Sequence, residues 1–193
     1  MSAPLVLASS SVHRRALLDR LQLDYTACSP DIDESRRPDE APAAYVSRLS
    51  LEKAAAMAAR YPQSLIIGSD QAAVLDGDIL GKPGNHERAT AQLRRASGRH
   101  VDFYTGLSLL NVSNGRAQTD VVLTRVHFRR LDDATIERYL QREAPYDCAG
   151  SFRSEALGIA LFERLEGDDP TALIGLPLIR LVSMLASESV FVP

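Results

Sequence analysis

Apolar residues come in short, separated runs along this chain, and their spacing switches repeatedly between strand and helix periods. Residues 4–8 (PLVLA) are continuously apolar and predict a short buried strand. Three serines follow, and Ser10 or Ser11 is placed to cap a helix running to about residue 21, with Leu17, Leu18 and Leu21 toward the core. A strand is expected near 24–28, then a polar, proline-containing loop, SPDIDESRRPDEAP. The next helix is expected over 43–60, with Tyr45, Val46 and Leu49 on one side. SLIIGSD reads as a buried strand ending on an acid, and QAAVLDGDILGKPG as a hairpin turning at Asp76-Gly77. A helix is expected near 86–96, then two long strands, 99–110 and 117–130, joined at Asn114-Gly115. In the second of these, Val122, Val126 and Phe128 take one face and Arg125, His127 and Arg129 the other. A helix near 133–142, the loop YDCAGSFRSEALG and a last helix starting near Pro177 complete the order.

This interleaving predicts an α/β (mixed α+β) fold built around one mixed sheet. The 193 residues suit one domain, or two tightly joined lobes, and neither an internal repeat nor a linker interrupts them. Hydrophobic residues at 45% and charged residues at 24% fit a globular chain. A net charge of -3 provides no general basic field, which argues against nucleic acid as a partner. No apolar run approaches the length of a membrane span, and the start of the chain lacks a secretory signal pattern. With only Cys28 and Cys148 there is no disulfide framework, so a cytoplasmic setting is expected.

Four stretches carry candidate chemistry. In LVLASSSVHRRALLDRL, Arg14 and Arg15 fall in the first turn of a helix, where the dipole disfavours cations. A strand, a serine-rich turn and a helix N-terminus form an anion site, and two guanidinium forks there would clamp a polyphosphate. The plainer alternative has both arginines pointing into water. Lys53 shares the apolar face of Val46 and Leu49, so it either snorkels to water or aims a cation into a cleft. Asp70 follows the apolar strand, and the hairpin register sets Gln71 opposite Lys82, bringing a lysine back beside that acid. A carboxylate so placed binds a divalent ion and orients a water, or caps a turn. Asp31, Asp33 and Glu34 add acids in a loop that reads equally as solvated surface. GSFRSEALG is either turn chemistry or a ligand-reading loop.

Taken in order, LASSSVHRRALL, SPDIDE, LSLEKA, IIGSDQAAVLDGDILGKP, GSFRSEALG and IGLPL resemble the Maf-like nucleoside triphosphate pyrophosphatases across nearly the whole chain. That family is related in fold to the inosine triphosphatase superfamily. The resemblance implies a single domain over 1–193, an elongated, twisted mixed sheet flanked by helices, and two lobes around a cleft. It implies cleavage of a nucleotide between its α and β phosphates, with Mg²⁺ or Mn²⁺ as cofactor. Ser9, Arg14, Arg15, Lys53 and Lys82 match positions that hold the triphosphate, and Asp70 the proton acceptor. Glu34 matches an acidic position near substrate or metal, where it and Asp70 would share the ion. The chain is most similar to the branch acting on 7-methyl-GTP, with His13, Gln71 and Glu155 at the specificity positions. A carboxylate such as Glu155 suits guanine, because it accepts from N1–H and the exocyclic amine together and offsets the charge left by N7 methylation. Val12 replaces the family's usual proline, and His13 its usual arginine or aromatic residue. The alternatives are a pyrophosphatase for dTTP, UTP, CTP or other modified nucleotides, and a nucleotide-binding regulator of septum formation without turnover. Family members are often dimers, which implies a possible homodimer.

Overall fold

In the computed structural model, which describes residues 3–193, the first apolar run becomes β1 (Leu5–Ala8), buried at every position. It runs parallel to β2 (Tyr25–Cys28) on one side and β3 (Leu65–Leu75) on the other, with Leu5 opposite both Tyr25 and Leu65. Parallel neighbours need crossover connections, and here these are helical. α1 (Val12–Leu18), continued by a 3-10 turn to Leu21, joins β1 to β2, and α2 (Pro42–Ala56) joins β2 to β3. The remaining elements are β4 (Asp78–Leu80), α3 (His86–Ala96), β5 (His100–Asn111), β6 (Arg116–Phe128), α4 (Asp133–Glu143), β7 (Phe162–Glu166) and α5 (Leu178–Ser187). Hydrogen-bonded strand order is β2-β1-β3-β5-β6-β7, with β4 on β3; the β3–β4 and β6–β7 pairs are antiparallel, so the sheet is mixed. This is the α/β class expected from the interleaved pattern.

The chain divides into two compact units. The first contains Met1–Gln71, Thr105–Val122 and Asp169–Pro193; the second contains Ala72–Tyr104 and Leu123–Asp168. In the first unit, strand alternation sorts residues onto two faces. Leu5, Leu7, Leu65, Ile67, Leu107 and Leu109 pack with Leu17 and Leu18 of α1 and with Leu181, Met184 and Leu185 of α5. Val6, Ala8 and Ile66 pack the other way, against Ala54 of α2 and Met57 just beyond it. α2 lies very close to the strands it covers. A Cβ on Gly68 would stand 1.9 Å from the Ser50 carbonyl oxygen, and one on Gly106 would stand 2.2 Å from that of Val46. Only the absence of a side chain at both positions allows this approach. The Ser50 and Ser108 hydroxyls, 2.7 Å apart, fasten the same contact.

The second unit is built on edge-to-face aromatics. Phe152 meets Phe103, Phe128 and Phe162 with ring centroids 5.3, 5.5 and 4.7 Å away. α3 buries Ala89, Leu93 and Ala96, and α4 buries Ile136, Tyr139 and Leu140. On β6, Val126 and Phe128 are buried as their alternation predicts, while Arg125 on the opposite face makes a bidentate pair with Asp102 at 2.6 and 2.8 Å.

Three boundaries depart from the sequence reading. α2 stops at Ala56, short of residue 60. Beyond it the N–H groups of Met57, Ala58 and Arg60 each bond three residues back, and Pro62 prevents any resumption of the helix. β3 does not end at Asp70 but runs five residues further, through the hairpin arm to Leu75. Pro177 is the N-cap residue of α5, with extended backbone, so the first helical position is Leu178.

Candidate functional site

The extension of β3 determines the site. Asp70 lies within a strand, on the same face as Ile66 and Gly68, which is the face covered by α2. Lys53 sits one turn beyond Ser50 on α2, so the close approach at Gly68 carries its ammonium to Asp70. Nζ donates to Asp70 Oδ1 at 2.5 Å, and both residues are buried, at 6% and 7% exposure. Of the two readings open for Lys53, the inward one holds. Its ammonium also reaches Glu34 Oε1 at 2.8 Å, so two carboxylates from distant stretches meet on one cation.

Glu34 is brought there by the polar loop, which α2 holds at two points. The Tyr45 hydroxyl donates to the Glu34 carbonyl at 2.8 Å. Arg48 grips Glu40 through Nε at 2.6 Å and Nη2 at 2.8 Å, and donates to the Ser35 carbonyl at 3.1 Å. The Arg48 bonds hold the Glu40 carboxyl down from its usual 4.5 to about 2. Asp33 turns back on its own loop and accepts from Ser35 N–H at 2.9 Å. Asp31 is exposed, so of the three loop acids Glu34 is the one drawn to Lys53.

Arg14 approaches from the opposite face. Its backbone N–H is capped by the Ser11 hydroxyl at 3.3 Å, and its Nε donates to the Gly175 carbonyl at 2.8 Å. Burial lowers the Arg14 pKa from its ordinary value, and the nearby carboxylates of Asp70 and Glu34 oppose that shift. Burial, with the same two carboxylates adding to it, pushes the Tyr45 hydroxyl up. Among the described residues the terminal nitrogens of Arg14 have no hydrogen-bond partner, so they are available to an anion. Ser9 is buried, and its hydroxyl accepts from Ser11 N–H at 3.1 Å. Arg15 is exposed, and its carbonyl accepts from Tyr25 at 3.3 Å. His13 is half-buried on α1.

Gln71 takes the other face of β3 from Asp70. Its amide nitrogen lies 3.0 Å from Thr105 Oγ1, 2.9 Å from the Ala172 carbonyl and 3.0 Å from that of Leu173. Ser69, also on that face, shares its one hydroxyl hydrogen between the carbonyls of Gly106 and Gly175, 2.8 and 2.9 Å away. The turn that receives these bonds is braced by Asp169, whose carboxylate accepts from the N–H groups of Thr171 and Ile179 at 2.9 and 2.8 Å. Sequence reading missed Asp169, Thr105 and Ser69, because their partners are set by folding and not by spacing.

Lys82 and Glu155 belong to the second unit. The hairpin register is the expected one, but its pairing stops at Ala73↔Leu80, so the Gln71–Lys82 opposition is not formed as a ladder pair. Lys82 is exposed just beyond β4. Gln92 on α3 donates to the adjacent Gly81 carbonyl at 2.9 Å and accepts from Ser151 at 2.5 Å, which ties the two loops together. Glu155 is exposed in a turn anchored to α4, where Tyr139 accepts from Arg153 N–H at 3.2 Å and Glu143 from Leu157 N–H at 2.9 Å.

Asp70 and Glu34 are hard oxygen donors of the kind that Mg²⁺ or Mn²⁺ takes, and two carboxylates are the usual protein share when phosphate oxygens and waters complete the shell. The donor set therefore fits such an ion. Among the described residues no group of three or more His, Cys, Asp or Glu is arranged to hold a metal without help. Also among them, no helix is long and apolar enough to cross a membrane.

Known proteins resemble this chain along its length. A protein from Pseudomonas savastanoi pv. phaseolicola called 7-methyl-GTP pyrophosphatase is 62% identical over 189 residues, 98% of each chain. One of the same name from Pseudomonas aeruginosa is 58% identical over 189 residues, again 98% of each chain. Among solved structures, the Staphylococcus aureus Ham1 protein aligns with 66% of this chain and 72% of its own at 14% identity, with a TM-score of 0.49. The motifs around Arg14, Glu34, Lys53 and Asp70 all lie inside residues 4–188, the span matched by the family model described as Maf-like protein, and on that match and those identities the chain belongs to the Maf family.

Proposed function

We propose that this protein hydrolyses 7-methyl-GTP to 7-methyl-GMP and pyrophosphate. The observation that carries the reading is full-length likeness, at 57–62% identity, to relatives bearing the name 7-methyl-GTP pyrophosphatase. The geometry of the first unit supports the chemistry. Arg14 and Lys53 are cations held on either side of β3, and Asp70 is a buried carboxylate in contact with one of them. A triphosphate bound by Arg14, Lys53, Arg15 and Ser9 places its phosphates beside that carboxylate. Asp70 takes the proton of the attacking water, the α–β phosphoanhydride bond breaks, and its bridging oxygen leaves with pyrophosphate. Lys82 adds a further phosphate contact. A divalent ion held by Asp70 and Glu34 would neutralise charge on the phosphate oxygens.

Base recognition falls to Glu155 and His13. A carboxylate accepts two hydrogen bonds from the donor edge of guanine and offsets the positive charge of the methylated base. The reading places the protein in the cytoplasm, where Cys28 and Cys148, both unpaired, stay reduced. Its expected assembly is a homodimer, which light scattering of the purified chain tests. The experiment for substrate is a pyrophosphate-release assay across 7-methyl-GTP, GTP, dTTP, UTP and CTP with Mg²⁺ or Mn²⁺. Preferential release from 7-methyl-GTP is expected. Preference for a pyrimidine nucleotide refutes the substrate, and no release from any of the five refutes the enzymatic reading in favour of a nucleotide-binding regulator.

A further inference from the structure

The turn from Ala172 to Gly175 is held by four side chains of the first unit. Three of them stand together on one face of two strands: Ser69 and Gln71 on β3, and Thr105 on β5. Their donors converge on the backbone carbonyls of residues 172, 173 and 175. The fourth is Arg14, which donates Nε to the Gly175 carbonyl at 2.8 Å. Gly175 has φ +123°, a backbone conformation that favours glycine, and a Cβ there would stand 3.5 Å from Arg14 Nε.

The hydrogen-bond polarity at Thr105 and Gln71 follows from their partners. Thr105 is completely buried, and its hydroxyl lies 3.0 Å from the Ala172 carbonyl, which can only accept. The single hydroxyl hydrogen is used there, so Thr105 Oγ1 can only accept from Gln71. Gln71 Nε2 therefore faces three acceptors. Rotating the amide by half a turn would set its oxygen against two carbonyls and a hydroxyl lone pair. The donor end of Gln71 is thus committed to the protein. Gln71 also projects from the face of β3 opposite Asp70.

We infer that Gln71 and Thr105 are positioning residues: they fix the Ala172–Gly175 turn so that the Gly175 carbonyl holds Arg14 Nε and leaves the terminal guanidinium nitrogens for the phosphates. This inference rests on the proposed reading of Arg14 as a phosphate contact. The route is short and continuous: Gln71 and Thr105 to the carbonyls at 172 and 173, the turn to Gly175, and Gly175 to Arg14.

The test uses the purified chain and measures the affinity of inorganic pyrophosphate by calorimetry, which needs no turnover. Thr105→Val removes the hydroxyl at nearly constant volume, Thr105→Ser keeps it, and Gln71→Met removes the amide at similar length. The Val and Met variants should weaken pyrophosphate binding roughly tenfold, the equivalent of about 1.4 kcal/mol, while Ser restores it. In the Arg14→Lys background, where no Nε remains to be held, Thr105→Val should cost almost nothing further. Unchanged pyrophosphate affinity in both Val and Met variants overturns the inference. If the wild-type protein binds pyrophosphate but releases none from any nucleotide, the enzymatic reading fails while the binding cycle still decides this one.

Discussion

Gly68→Ala tests how the fold delivers Lys53 to Asp70. The new methyl group would be placed 1.9 Å from the Ser50 carbonyl oxygen and 3.0 Å from the Ala54 amide nitrogen, both backbone atoms of α2. Neither can swing aside as a flexible side chain would, so the helix itself must retreat by about 1.5 Å to restore ordinary contact. Overpacking of this kind costs roughly 1–3 kcal/mol, and a chain of this size loses about 2–4 °C of Tm per kcal/mol, so a drop of roughly 2–12 °C is expected. The same retreat draws Lys53 away from Asp70, now 2.5 Å from it. Misplacement by 1 Å in a catalytic arrangement costs on the order of 100-fold in rate. The assays are differential scanning calorimetry and pyrophosphate release from 7-methyl-GTP. Gly81→Ala is the control, since nothing lies within 4 Å of a Cβ at that position, and it should melt within about 1 °C of wild type. A Gly68→Ala protein that melts with the control and keeps full turnover would refute the argument that this close approach builds the site.

Other perturbations follow from the same contacts. Lys53→Met leaves Asp70 buried without its ammonium partner and should cost roughly 3 kcal/mol in urea unfolding, with nucleotide affinity falling at the same time. Arg48 holds the Glu40 carboxyl at about 2 against an ordinary 4.5, so its anchoring of the loop is present above pH 4.5 and is lost as pH falls toward 2. An NMR titration of Glu40 should return to the ordinary carboxylate range in Arg48→Met. Chelation with EDTA should stop pyrophosphate release while leaving the thermal transition in place, and added Mg²⁺ or Mn²⁺ should restore turnover.

Much of the fold was legible because the hydrophobic period changes cleanly from element to element. α3 falls at His86–Ala96 as expected, and the Asp76-Gly77 turn sets the β3–β4 register. The end of α2 was misread because Leu49, Lys53 and Met57 keep a helical spacing past the point where the last turn tightens ahead of Pro62. The length of β3 was misread because an acid at the end of an apolar run looks like a strand terminus. Asp70 instead sits within the strand, balanced by a lysine from another element. Lys53 and Asp70 could each be singled out in the sequence, but their contact depends on Gly68 and Gly106, whose significance lies in what they omit. Arg48 and Glu40, eight residues apart across a loop, and the turn held by Asp169 and Thr105 left no periodic trace. The first is a side-chain pair that the folded loop closes, and Thr105 and Asp169 bond backbone carbonyls and amides that only the folded chain brings together.

Asp70→Asn is the most direct test of the central claim, that this buried carboxylate on β3 receives the proton of the attacking water. The variant keeps size and shape, and binding of 7-methyl-GTP can be measured separately from turnover by calorimetry. The account predicts pyrophosphate release reduced roughly 100- to 10,000-fold, as for loss of a catalytic base, with nucleotide affinity within about threefold of wild type. Near-normal release from the Asn protein would contradict it.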